Sequence, residues 1–139
     1  MVAPIVRRLF DSLVSDNRGE QKVAAKEVLN IGDAERVQLL SMLQRQIERH
    51  PERSALFEVL VLLAEKNIPG AGSAFVSAVK SAPHDRLEPG TAYKLKTLTG
   101  LAGDHQQGAN ALLESLAKDT SSKVGKAAAK ITQVNHGNL

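Results

Sequence analysis

Asp16-Asn17-Arg18-Gly19-Glu20-Gln21-Lys22-Val23-Ala24-Ala25-Lys26-Glu27-Val28 returns near the end of the chain, without a gap, as Asp119-Thr120-Ser121-Ser122-Lys123-Val124-Gly125-Lys126-Ala127-Ala128-Ala129-Lys130-Ile131. Each copy opens on an acidic residue and then places two adjacent alanines and a β-branched aliphatic at matching positions. The offset between positions 16 and 119 is close to three units of about 34 residues, a period that belongs to stacked helical repeats. That period predicts an architecture whose usual work is to present a surface to a partner.

The rest of the chain agrees with such a reading. Its 139 residues fit one domain, 1–139, and are enough to bury a sizeable core. Aromatic residues make up only 3% and Trp is absent, so the core is expected to consist of Ala, Leu, Val and Ile on closely approaching helices. The formal charge of +3 is too small to imply nucleic acid without a concentrated patch. No cysteine is present, which excludes disulfides, thiolate chemistry and Cys-ligated metal. The opening Met-Val-Ala-Pro-Ile-Val-Arg-Arg-Leu-Phe has no secretory apolar region. The apolar run Leu56 to Ala64, interrupted by Glu58, is far short of a membrane span. These features predict a cytoplasmic protein with no membrane partner.

Helix breakers and caps recur at Pro4, Gly19, Gly32, Pro51, Pro69-Gly70, Pro89-Gly90, Gly103 and Ser121-Ser122. Between them the apolar spacing is i, i+3, i+4, i+7, as in Ala71, Ala74, Phe75, Ala78, Val79 and Ala82. About eight helices are predicted, over 4–15, 19–31, 33–50, 52–67, 71–82, 89–101, 104–118 and 122–134, with no strand and a frayed tail at 135–139. Asp33 and Asp104 are expected as N-caps and Pro51 in a first turn. The short connections predict that successive helices pack side by side as antiparallel neighbours. Segment 52–67, apolar on nearly all sides, is expected at the centre of the stack.

Leu98-Thr99-Gly100-Leu101-Ala102-Gly103-Asp104, the paired Leu112-Leu113, Asp119, and then Val124 with Ala127-Ala128 together resemble a HEAT repeat. Val28-Leu29-Asn30-Ile31-Gly32-Asp33, followed by Val37, Leu40 and Leu43, is similar to the same turn and second helix. The arginine of the family motif is Lys22 in one copy and Gly125 in the other, and the middle units keep the spacing but few signature residues. A tetratricopeptide-like reading competes, because Ala71, Phe75, Ala78 and Pro83 fall at that family's spacing, but the preceding helix lacks its aromatic and glycine. The HEAT resemblance implies an all-α fold, a short superhelix of about four antiparallel helix pairs. It also implies a concave layer formed by helices 33–50, 71–82 and 104–118, used to bind a protein or peptide.

Catalytic chemistry has little to stand on. His50, His84, His105 and His136 form no i, i+4 pair and no H-E-x-x-H run. Gly70-Ala71-Gly72-Ser73 could cradle a phosphate, but a helix precedes it and Phe75 stands where a dinucleotide fingerprint needs Gly or Ala. A protein with no catalytic activity, no metal and no cofactor is the expectation. Three basic rows, Arg18/Lys22/Lys26, Arg45/Arg49/Arg53 and Lys123/Lys126/Lys130, read as solvated helix faces, with nucleic-acid binding as the alternative function. The partner face implied by the resemblance comprises Arg36, Gln44, Arg45, Ser73, Ser77, Lys80, His105, Gln106, Asn110 and Glu114.

Overall fold

The computed structural model describes residues 2–137. Among these, eight α-helices follow one another with no strand: α1 (Pro4–Leu13), α2 (Arg18–Val28), α3 (Asp33–Arg49), α4 (Ser54–Glu65), α5 (Ala71–Ser81), α6 (Gly90–Thr99), α7 (His105–Ala117) and α8 (Lys123–Gly137). A single 3-10 turn, His84–Arg86, joins α5 to α6 and was not foreseen. The tail expected at 135–139 continues α8 as far as Gly137, and positions 138 and 139 lie outside the described residues.

Local chemistry sets the boundaries. Pro4 opens α1, where its missing N–H costs no helical hydrogen bond. Asn17 Oδ1 accepts the Glu20 N–H at 3.0 Å and caps α2. Asp33 is not the cap of α3 but its first residue; Gly32 takes the cap position, and its N–H donates to the Glu35 carboxylate at 3.4 Å. Pro51 also lies outside the helix expected of it. It is buried in a turn closed by the Arg53 N–H on the His50 carbonyl at 3.0 Å, and α4 starts at Ser54. Asp104 precedes α7 as expected, but its side chain makes no capping bond. Between α4 and α5 the backbone turns left-handed at Asn67 (φ 63°) and again at Gly70 (φ 87°), where glycine carries no Cβ penalty.

The helices sort into two files by what they pack against. Helix α3 lies against α1 and α5, and α5 against α7; α4 lies against α2 and α6, and α6 against α8. Across the files, α1 packs on α2, α3 on α4, α4 on α5, α6 on α7 and α7 on α8. The α2–α3 and α5–α6 joins cross between files without lengthwise packing, so the expectation of neighbours at every connection fails there. At the second join the 3-10 turn intervenes and packs against α8 instead.

The two copies of the opening motif become α2 and α8, both in the even-numbered file. Ala24, Ala25, Ala127 and Ala128 are all buried, which lets these helices approach their neighbours closely. Val28 is buried too, whereas Ile131 is only partly covered at the end of the stack. Helix α4 is central, with Leu56, Phe57, Val59, Leu60 and Leu63 all buried. It shares that place with α5, whose Ala71, Ala74, Phe75, Val76, Ala78 and Val79 are equally enclosed. Phe57 and Phe75 join the two edge to face, with ring centroids 5.3 Å apart at 71°. No helix among the described residues is long and apolar enough to cross a membrane.

Candidate functional site

Where α3 and α5 lie side by side, their solvent edges leave a groove of about 370 Å³. Helix α3 supplies Val37, Ser41, Gln44, Arg45 and Glu48, which share one edge because each lies three or four residues from the next or its neighbour. Helix α5 supplies Ser73 and Ser77, one turn apart, and the preceding turn adds Pro69 and Gly70. Leu40 and Ala74, both buried, form the floor. Serines keep the α5 edge low, so the walls come from the longer side chains of α3. Val37 stands 68% exposed at the groove, an apolar side chain that the fold itself leaves uncovered.

The polar rim is held by local bonds. Gln44 Nε2 donates to Glu48 Oε1 at 3.0 Å, and Arg45 Nη2 donates to Ser41 Oγ at 3.3 Å. No carboxylate lies within ion-pair distance of Arg45 among the described residues. Its guanidinium therefore keeps its charge and most of its donors available to a partner.

Of the residues expected on the partner face, Gln44, Arg45, Ser73 and Ser77 meet in this groove. Lys80, Gln106, Asn110 and Glu114 are exposed on the same file but do not line it. Gln106 and Asn110 are occupied locally, donating to the Thr99 carbonyl at 2.7 Å and the Gln106 carbonyl at 3.1 Å. Two residues depart from the expectation. Arg36 is only 18% exposed at its side chain, because its guanidinium folds back onto the Asp33 carboxylate and the Leu29 carbonyl. His105 packs inward: its ring covers Gly72 and Gly103, and Nε2 lies 3.2 Å from the Leu98 carbonyl. It serves α5–α7 packing, and the space for its ring exists because Gly72 has no side chain.

Sequence reasoning missed Val37, Ser41, Glu48 and Pro69 as members of the site. Val37, matched with Leu40 and Leu43 in the HEAT resemblance, is exposed where those two are buried, because it lies outside the row of buried Leu39, Leu43 and Ile47. The i, i+4, i+8 row of those three was the available signal for the true phase.

The two carboxyls with lowered pKa, Asp119 and Glu52, lie outside the groove. His84 Nδ1 and Asp119 Oδ2 approach to 2.7 Å and tie the 3-10 turn to the α7–α8 turn. Hydrogen bonds from the Ser121 hydroxyl, then from His84, hold the Asp119 carboxyl below the usual aspartate range. A backbone N–H, and after it Arg86 at 2.7 Å, lowers Glu52 in the same way. His50 follows the last turn of α3, His84 opens the 3-10 turn and His105 opens α7, and the side chain of His136 lies outside the described residues. No group of three or more potential metal ligands converges among the described residues. Comparison with protein-family models, with curated proteins and with solved structures found no match.

Proposed function

We propose that this chain is a non-catalytic binding module, a short HEAT-like superhelix of about four helix pairs. Its odd-numbered file seats a segment of a protein partner in the α3–α5 groove. The observation that carries the reading is the groove itself: exposed Val37 over an apolar floor, rimmed by Ser41, Gln44, Arg45, Glu48, Ser73 and Ser77. An apolar anchor surrounded by mixed hydrogen-bonding groups is the composition of protein interfaces, where one or two desolvated anchors dominate affinity. A peptide with one small aliphatic side chain for Val37 and a carboxylate for Arg45 matches this chemistry. The file-wise packing of helices two apart supports the superhelix.

The test is affinity purification from cells that make the protein, with the parent chain and with Val37→Asp and Arg45→Glu. The expected result is a protein that accompanies the parent and is depleted about tenfold or more by either substitution, as loss of an interface anchor requires. Recovery of nucleic acid with no protein, or of the same protein undiminished with both variants, would remove this reading.

A further inference from the structure

The charge of the chain is unevenly placed. On the odd-numbered file the charges of α1, α3, α5 and α7 nearly cancel, whereas the spans of α6 and α8 contain lysines and not one Asp or Glu. These two helices pack side by side and both bury their apolar sides against α7, so their solvent stripes share the outer surface. On α6 that stripe holds Tyr93, Lys96 and Thr97; on α8 it holds Lys123, Lys126 and Lys130. None of these four lysines has an ion-pair partner among the described residues.

Of the carboxylates bordering the face, Glu58 and Asp119 are engaged, whereas Asp85 and Glu88 share a cavity with Lys123, and Glu65 a groove with Tyr93 and Thr97. Glu58 on α4 lies 3.6 Å from Arg18 and 3.9 Å from Lys94, while Asp119 accepts from Ser121 and pairs with His84. Four ammonium groups thus remain without an ion pair among the described residues, Lys123 with Asp85 and Glu88 nearby, and Lys96, Lys126 and Lys130 on helices that carry no carboxylate. From Lys123 to Lys130 the helix rises about 10 Å. That is the axial rise of about three phosphates on one strand of a duplex. Tyr93, 53% exposed beside Lys96, adds an aromatic surface for a sugar or base. It is also the only large apolar side chain exposed on this face among the described residues. A membrane surface would need more, since interfacial helices bury an apolar side as well as offering lysines.

We propose that the α6–α8 face binds the phosphate backbone of nucleic acid through Lys96, Lys123, Lys126 and Lys130. This second binding surface is separate from the α3–α5 groove.

The experiment is fluorescence anisotropy of a labelled oligonucleotide, duplex and single-stranded, titrated with the full chain over a range of NaCl concentrations. With four phosphates neutralised, the slope of log Kobs against log salt on duplex is expected at about −3.6, and nearer −2.8 on the single strand. Lys123→Gln, Lys126→Gln and Lys130→Gln combined should bring the duplex slope to about −1 and weaken low-salt binding at least tenfold. The thermal melt of that variant should match the parent, because all three side chains are exposed. Arg49→Gln, exposed on the other file and outside the α3–α5 groove, should change neither quantity. Absence of binding at about 50 mM salt would overturn the proposal. So would binding that the triple variant retains, or binding to phosphatidylserine vesicles tighter than to either oligonucleotide.

Discussion

Gly125→Ala should destabilise this protein, although the same change in most helices stabilises it. In an exposed helix interior alanine is better than glycine by about 1 kcal/mol. Here a Cβ at position 125 would sit 2.7 Å from the Asp119 carbonyl carbon, closer still to its oxygen, and 2.8 Å from Ser122 Oγ. The obstacle is backbone, which cannot rotate aside as a long side chain does, so the turn from Asp119 to Ser122 must move. That movement breaks the bond from the Gly125 N–H to Ser122 Oγ, now 3.0 Å, a helix-capping contact worth about 1 kcal/mol. It also disturbs the His84–Asp119 tie. Overpacking of this kind costs about 1–3 kcal/mol. Set against the helix-propensity gain, the net loss is about 2 kcal/mol. For a chain of 139 residues that lowers Tm by roughly 6–8 °C. Gly108→Ala is the control of opposite sign. Its Cβ would meet only Val76 Cγ1, at an ordinary 3.7 Å, so the full propensity gain should appear as a rise of roughly 2–4 °C. Both are read by circular dichroism melts at one pH. A Gly125→Ala protein melting at or above the parent would refute the packing described for the α7–α8 turn.

Leu60→Ala should cost about 2–5 kcal/mol in urea denaturation through the cavity it leaves, since Leu60 is fully enclosed at the centre of α4; an unchanged midpoint would contradict that placement. Thr91→Val should raise the melting temperature by a few degrees, because the Thr91 hydroxyl is buried without a hydrogen-bond partner among the described residues and its removal leaves nothing unsatisfied, worth about 1 kcal/mol; a fall would show that the hydroxyl has a partner. Asp119 has a folded-state pKa below its unfolded value, so its contribution is fully present above the unfolded value and is lost as pH falls through the folded one. Asp119→Asn should therefore be less stable than the parent near neutrality, with the gap closing in strong acid; a gap that widens in acid would reverse the sign of the argument.

Helices were legible because apolar residues recur every three or four positions between Gly and Pro breakers. Their ends were less so, since a cap is decided by backbone geometry: Asp33 and Gly32 exchange roles by one residue, and Pro51 serves a buried turn in place of a first helical turn. Equivalence of the two motif copies carried through to α2 and α8, and the structure accounts for their main difference. Where the first copy has exposed Lys22, the second has Gly125 because the Asp119 carbonyl occupies the space. The candidate groove was legible only in part. Ser73 and Ser77 stand out as polar residues one turn apart in a stretch, 71–79, that is otherwise buried. Val37 and His105 did not, because an exposed valine and an inward histidine both invert what their polarity suggests. The inversion of His105 depends on Gly72, about a quarter of the chain away in sequence, a contact no local pattern encodes.

The claim that the α3–α5 groove is the partner site is tested most directly by placing a photo-crosslinking amino acid at Ser77, in the groove, or at Thr97, on the opposite file. Irradiated in cells that make the protein, Ser77 should yield one defined protein adduct, lost when Val37→Asp is added, while Thr97 yields none of that adduct. The same adduct from both positions, or an adduct at Ser77 that Val37→Asp leaves intact, would contradict the account.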